Sequence, residues 1–235
     1  LFTPLVVKSK TLTYEFPFLI VSSFLLILLG NDIYIFGTNS FLLGRFDGAI
    51  FLLIFIIFII YVYRSMLSEK KTVTKQFRKD FTHENPLWKN VLLMVGGIIG
   101  VVIGGKLFIT EATVLASLAG LPKAFIGLTI AAIGTSLPEL ATSAVAAYKG
   151  KGDLAIGNIV GSNIFNILFV LGLTSMIKPI AINASVLSID GMIMLFVTLL
   201  FLLFATTTKK LYRWEGGVLV VLYLSYLIWL IHGLF

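Results

Sequence analysis

Of the 11 carboxylates in this chain of 235 residues, one stands apart. Glu139 sits in the middle of a run, Ala124 to Ala147, that carries no other charge, and it follows Ala131-Ala132-Ile133-Gly134-Thr135-Ser136-Leu137-Pro138. Pro138 has no N–H, so the Gly134 carbonyl loses its helical donor and the backbone just before the ring is pushed from regular geometry. Thr135 and Glu139 are four apart, which puts hydroxyl and carboxylate on one helix face with Ser136 beside them. Hydroxyls, a carboxylate and freed carbonyls make an all-oxygen donor set, which hard cations such as Ca²⁺ or Na⁺ prefer. A second polar stripe follows, because Asn158, Ser162 and Asn166 recur every four residues in Gly157-Asn158-Ile159-Val160-Gly161-Ser162-Asn163-Ile164-Phe165-Asn166. Gly157 and Gly161 form a small-xxx-small face that predicts close helix packing, so that the two polar faces meet.

The remaining carboxylates have plainer roles. Glu15 and Asp190, and Asp47 and Glu215, fall in first turns of helices, where a negative charge complements the helix dipole. Asp32, Glu69, Asp80, Glu84 and Asp153 lie in or beside polar connections, and Glu111, five residues after Lys106, reads as interfacial. Gly134-Thr135-Ser136 suggests a buried serine nucleophile, but nucleophilic catalysis needs a base within reach, and the two histidines are His83, in a polar stretch, and His232, near the C-terminus. Zinc would need several N or S ligands, and the chain has no cysteine for that or for a disulfide. The expectation is therefore neither an enzyme nor a cofactor protein.

The elements that position these residues are apolar helices. Only 12% of residues are charged against 58% hydrophobic, where a soluble domain carries roughly a quarter charged, and the mean hydropathy is +1.03. A soluble enzyme, a disulfide scaffold and a nucleic-acid partner are excluded by this balance. About 20 apolar residues cross a bilayer, and seven spans are predicted near 14–30, 48–63, 90–115, 122–148, 153–177, 185–206 and 214–234, an all-α polytopic membrane protein. Arg64, Lys70, Lys71, Lys75, Arg78, Lys79 and Lys89 fill the polar stretch 64–89, read as a cytoplasmic linker that also suits anionic headgroups. With that stretch inside, 14 of the 18 Lys and Arg lie inside and four (Arg45, Lys106, Lys123, Lys178) outside, as the positive-inside rule requires.

The chain repeats itself across the linker. Arg45-Phe46-Asp47-Gly48-Ala49-Ile50-Phe51 matches Arg213-Trp214-Glu215-Gly216-Gly217-Val218-Leu219, Thr3-Pro4-Leu5-Val6-Val7 matches Lys178-Pro179-Ile180-Ala181-Ile182, and Glu15 falls at the offset of Asp190. Segment 1–63 thus corresponds to the last two helices of a half, and 90–235 to a complete five-helix half. Equal halves predict three further spans before residue 1. An odd number of spans per half inserts the two with opposite orientation, as in many secondary transporters.

These motifs carry a resemblance. Gly134-Thr135-Ser136-Leu137-Pro138-Glu139-Leu140 followed by Gly157 to Asn166 is similar to the second α-repeat of the cation/calcium exchanger superfamily, with the prokaryotic sodium/calcium exchangers as the nearest branch. The resemblance implies a ten-helix antiporter of two inverted halves, with the second α-repeat at about 122–177 and the first absent from this sequence. It implies Thr135, Ser136, Glu139 and Ser162 as side-chain ligands, Ala132 as a carbonyl ligand, and Asn158 and Asn166 completing or bordering the site. Ca²⁺ and Na⁺ would be the transported ions, the helix with Lys106 and Glu111 one of two that slide against the core, and a prokaryotic inner membrane the location. Two departures bear on this. The first α-repeat, whose Glu should face Glu139, is missing, and one acid balances one Na⁺ but half of a Ca²⁺. Asn166 stands where many relatives carry Asp. The alternatives are an H⁺-coupled or other divalent-cation antiporter, or a non-transporting fragment lacking half its site.

Overall fold

The computed structural model describes residues 4–7, 11–31, 41–80, 86–120, 126–184 and 186–232. Among these, six helical stretches are long and apolar enough to cross a membrane: Thr11–Leu29, Arg45–Ser65, Trp88–Leu118, Gly152–Ile177, Val186–Thr207 and Arg213–Leu230. The protein is an integral membrane protein. The remaining expected span, 122–148, is helical from Ile126 onward. Its Thr129, Thr135, Ser136, Glu139, Thr142 and Ser143 dilute the apolar content that the other six keep. Of the expected linker, residues 64–80 continue the preceding helix, α2 (Arg45–Asp80). They hold neither Pro nor Gly, so nothing in the backbone stops the helix. The next helix, α3 (Leu87–Leu118), starts directly after Pro86.

The chain folds as two compact units, one of Leu1–Ser65 with Val145–Leu219, the other of Met66–Ala144 with Val220–Phe235. In the first, the two segments related by sequence repeat follow one succession. Strand β1 (Leu5–Val6) leads to a π-helical turn, Thr11–Glu15, and helix α1 (Phe16–Leu29); β2 (Leu42–Leu43) leads to α2. In the second segment β3 (Ile180–Ala181) leads to a π-turn, Val186–Asp190, and helix α7 (Gly191–Thr207); β4 (Lys210–Leu211) leads to α8 (Arg213–His232). The strands pair crosswise and antiparallel, β1 with β4 (Val6 opposite Lys210) and β2 with β3 (Leu42 opposite Ala181). Exchanging the segments converts one ribbon into the other, so the repeat is two-fold in space as well as in sequence. Glu15 and Asp190 are the matching N-caps of α1 and α7.

α1 packs on α7 through Phe16 and Phe201, rings 5.1 Å apart, and on α2 through Phe18 and Phe58, also 5.1 Å. Without water to expel from between them, membrane helices associate by close packing. Gly48 of α2 shows how close: a Cβ there would stand 2.6 Å from the Gly172 carbonyl oxygen, so two backbones meet where only glycine fits. In the second unit α3 packs against the π-turn Ile126–Ala131. The face it uses is Gly105, Ile109, Ala112 and Ala116, spaced four, three and four apart, whereas Lys106 and Glu111 are exposed.

Candidate cation-binding residues

Ala132, Thr135, Ser136 and Glu139 all lie on α4 (Ala132–Tyr148), which begins at the end of the π-turn Ile126–Ala131 and passes through Pro138 without breaking. The irregularity expected beside Pro138 lies about two turns earlier. π-Helical turns are rare and recur at functional sites. Gly134, whose carbonyl Pro138 leaves without a helical donor, is buried against α3. A Cβ on Gly134 would collide with Ile109 and lie 3.3 Å from Phe108, and one on Gly105 would lie 3.8 Å from the Gly134 oxygen. α3 therefore covers one side of the helix, leaving Thr135 and Ser136 exposed and Glu139 half-buried.

The Thr135 hydroxyl donates to the Ala132 carbonyl (3.0 Å). A hydroxyl has one proton and two lone pairs, so once its proton is committed to the helix its oxygen is an acceptor toward everything else. The Thr135 oxygen thus presents lone pairs beside the Ala132 carbonyl, an arrangement that suits a cation and repels an anion. Thr142 does the same two turns on, donating to the Pro138 carbonyl (2.8 Å).

In the other unit, Asn158 and Ser162 lie on α5 (Gly152–Ile164), and Asn166 on the π-helical stretch Phe165–Leu171 that joins it to α6 (Gly172–Ile177). The opposite side, Ile156, Val160 and Ile164, is fully buried, so the polar stripe is the face the core leaves over. Asn158 and Ser162 are half-buried and Asn166 exposed. Ser162 donates to the Ile159 carbonyl (3.2 Å), repeating the Thr135 arrangement. Asn163, which the four-residue spacing passed over, donates to the same carbonyl (2.8 Å) and joins this group. The Gly157/Gly161 packing face is corrected by the structure: among the described residues nothing lies within 4 Å of a Cβ at either position. Branched Ile156, Val160 and Ile164 offer more contact area and take the packing instead.

Among the described residues no three or more His, Cys, Asp or Glu side chains come together as they would around a transition metal. The donors are one carboxylate, amides, hydroxyls and carbonyls. A family model described as "Sodium/calcium exchanger protein" matches residues 89–232. The chain belongs to the sodium/calcium exchanger family. Among its relatives, the putative antiporter CaxA of Alkalimonas amylolytica is 37% identical over 232 residues, covering 96% of this chain and 70% of that protein. The sodium/calcium exchanger MaX1 of Methanosarcina acetivorans is 39% identical over 140 residues, 60% of this chain and 40% of that one. The inner membrane protein YrbG of Escherichia coli is 30% identical, covering 97% and 68%. A solved structure of the sodium-calcium exchanger NCX_Mj, soaked with Na⁺ and Sr²⁺, superposes with a TM-score of 0.72 at 26% identity, covering 97% of this chain and 69% of that one. This member of the family thus spans about two thirds of the exchanger fold.

Proposed function

We propose that the protein is a secondary antiporter that moves Ca²⁺ out against inward Na⁺ by alternating access. Ala132, Thr135, Ser136, Glu139, Asn158, Ser162 and Asn166 are its oxygen donors. The observation that carries the reading is the α4 arrangement: one carboxylate amid neutral helix, one turn from a hydroxyl whose proton is turned into the backbone. An intramembrane carboxylate is costly and is kept for function, and the family membership supports cation exchange as that function. Glu139 alone balances one Na⁺; a Ca²⁺ needs a second acid, which we assign to a first α-repeat outside this sequence. Two acids neutralise one divalent or two monovalent ions, so Ca²⁺ and Na⁺ exclude each other from the same oxygens.

The Gly105, Ile109, Ala112, Ala116 face of α3 is the contact along which that helix slides as the binding residues change sides. In this reading 1–63 belongs to the N-terminal half, 64–89 is a cytoplasmic linker, 90–235 is the C-terminal half, and the membrane is a prokaryotic inner membrane. The test is ⁴⁵Ca²⁺ uptake into liposomes holding the full-length protein, under an outward Na⁺ gradient or an outward H⁺ gradient, with Glu139→Gln as control. Uptake driven by Na⁺ and lost in Glu139→Gln is expected, and normal flux through that variant overturns the assignment. The neutral Asn166 supports one second reading, coupling to H⁺; uptake under the H⁺ gradient alone selects it.

A further inference from the structure

The first unit gathers positive charge at one end. α4 stops in a tight turn in which the Lys151 N–H bonds the Ala146 carbonyl (2.8 Å) and the Gly150 N–H the Ala147 carbonyl (3.0 Å), with Gly150 at φ +71°. This is the capping geometry that fixes a helix C-terminus, and it holds Lys149 and Lys151 in a defined, exposed position. The next residue, Gly152, is pressed against β1: a Cβ there would lie 3.0 Å from the Val6 nitrogen. β1 in turn pairs with β4, placing Lys210 opposite Val6, and the Val7 N–H bonds the Lys209 carbonyl (2.9 Å). Chain segments more than 50 residues apart in sequence thus bring Lys149, Lys151, Lys209, Lys210 and Arg213 to one end, every one exposed.

Two features show that this cluster is more than scattered charge. Lys209 has φ +52°, the one non-glycine residue in the left-handed region among the described residues. Glycine or asparagine occupies that conformation at less cost, yet a lysine stands there. Tyr148 and Trp214, 79% and 62% exposed, flank the lysines, and such amphipathic rings sit at the headgroup level of a bilayer. Two acids lie nearby, Glu215, which is buried and accepts the Tyr212 N–H (2.7 Å), and Asp153, which is half-buried and engaged, so the five cations remain in excess.

We propose that this collar is a docking surface for anionic phospholipid headgroups, its lysines taking the headgroup phosphate and its aromatic rings the interfacial glycerol region. A bound lipid would bridge the α4 turn to the β1–β4 ribbon and brace the start of α5, the helix that carries Asn158 and Ser162.

The experiment is native mass spectrometry of the purified full-length protein with phosphatidylglycerol, with phosphatidylcholine and with glycerol phosphate alone. The variant Lys149→Gln/Lys151→Gln/Lys209→Asn/Lys210→Gln is compared with one that removes four charges elsewhere, Arg45→Gln/Lys106→Gln/Lys123→Gln/Lys178→Gln. Asparagine at 209 keeps the left-handed turn. Phosphatidylglycerol should be retained by the wild type and by the second variant, and retention should fall at least about tenfold in the first. Equal losses in both variants, no loss in the first, or equal binding of glycerol phosphate alone would each overturn the proposal. Should the fourfold variant fail to insert, Lys151→Gln and Lys209→Asn singly should each lower retention about threefold, and unchanged retention in both would refute it.

Discussion

At the scale of single residues, what suits α4 to the proposed cation binding is the direction of one proton. Thr135 gives its hydroxyl hydrogen to Ala132 and so shows lone pairs outward. Thr135→Ser keeps that oxygen and should transport nearly as wild type. Thr135→Val keeps the shape and loses the oxygen, and should raise the Ca²⁺ concentration for half-maximal uptake about tenfold, a lost polar contact of about 1.5 kcal/mol, with thermal stability little changed. Equal behaviour of the two variants would show that the hydroxyl touches no ion. Glu139 was legible in the sequence because a charge in apolar surroundings is rare and expensive. The proton's direction was not, since it depends on a rotamer that letters do not encode. Asn163 escaped for a related reason: it shares the Ile159 carbonyl with Ser162, but as the residue next to Ser162 it is outside the four-residue stripe.

Elements show what the repeat is for. Asp47 accepts the Gly44 N–H (2.8 Å) and Glu215 the Tyr212 N–H (2.7 Å), both buried carboxylates closing the first turn of equivalent helices. Asp47→Ala and Glu215→Ala should therefore destabilise alike, by about 1–2 kcal/mol each, read as a shift of thermal unfolding in detergent; a large inequality would mean that the two ends are not equivalent. The repeat was readable as Arg45-Phe46-Asp47-Gly48 against Arg213-Trp214-Glu215-Gly216, whereas the ribbons and π-turns were not, because two-residue strands and an i→i+5 turn leave no periodicity to detect. Nor did the sequence indicate which glycines matter. Gly134, not Gly157 or Gly161, meets a neighbouring helix. Gly134→Ala should cost about 1–3 kcal/mol through the collision with Ile109. Ile109→Ala should recover much of that loss in the double variant, a coupling that independent sites would not show.

For the molecule as a whole, the ribbons determine which loops share a side of the membrane. α1 and the π-turn before it separate β1 from β2 across a stretch long enough to span a bilayer, so the two ribbons lie at opposite ends of α1. The β1–β4 end gathers the α4–α5 turn through Gly152 and carries Lys149, Lys151, Lys209, Lys210 and Arg213; the β2–β3 end has Arg45 and Lys178. Short loops richer in Lys and Arg stay cytoplasmic, which predicts that the β1–β4 end faces inside. The chain has no cysteine, so an introduced one reports without background. In right-side-out vesicles a membrane-impermeant thiol reagent should label Lys178→Cys and spare Lys151→Cys and Thr208→Cys, and in everted vesicles the pattern should reverse. A pattern inverted as a whole would keep the fold and refute the orientation. Labelling of Lys151→Cys and Lys178→Cys from the same side would be more damaging, because no placement of two ribbons at opposite ends of α1 permits it.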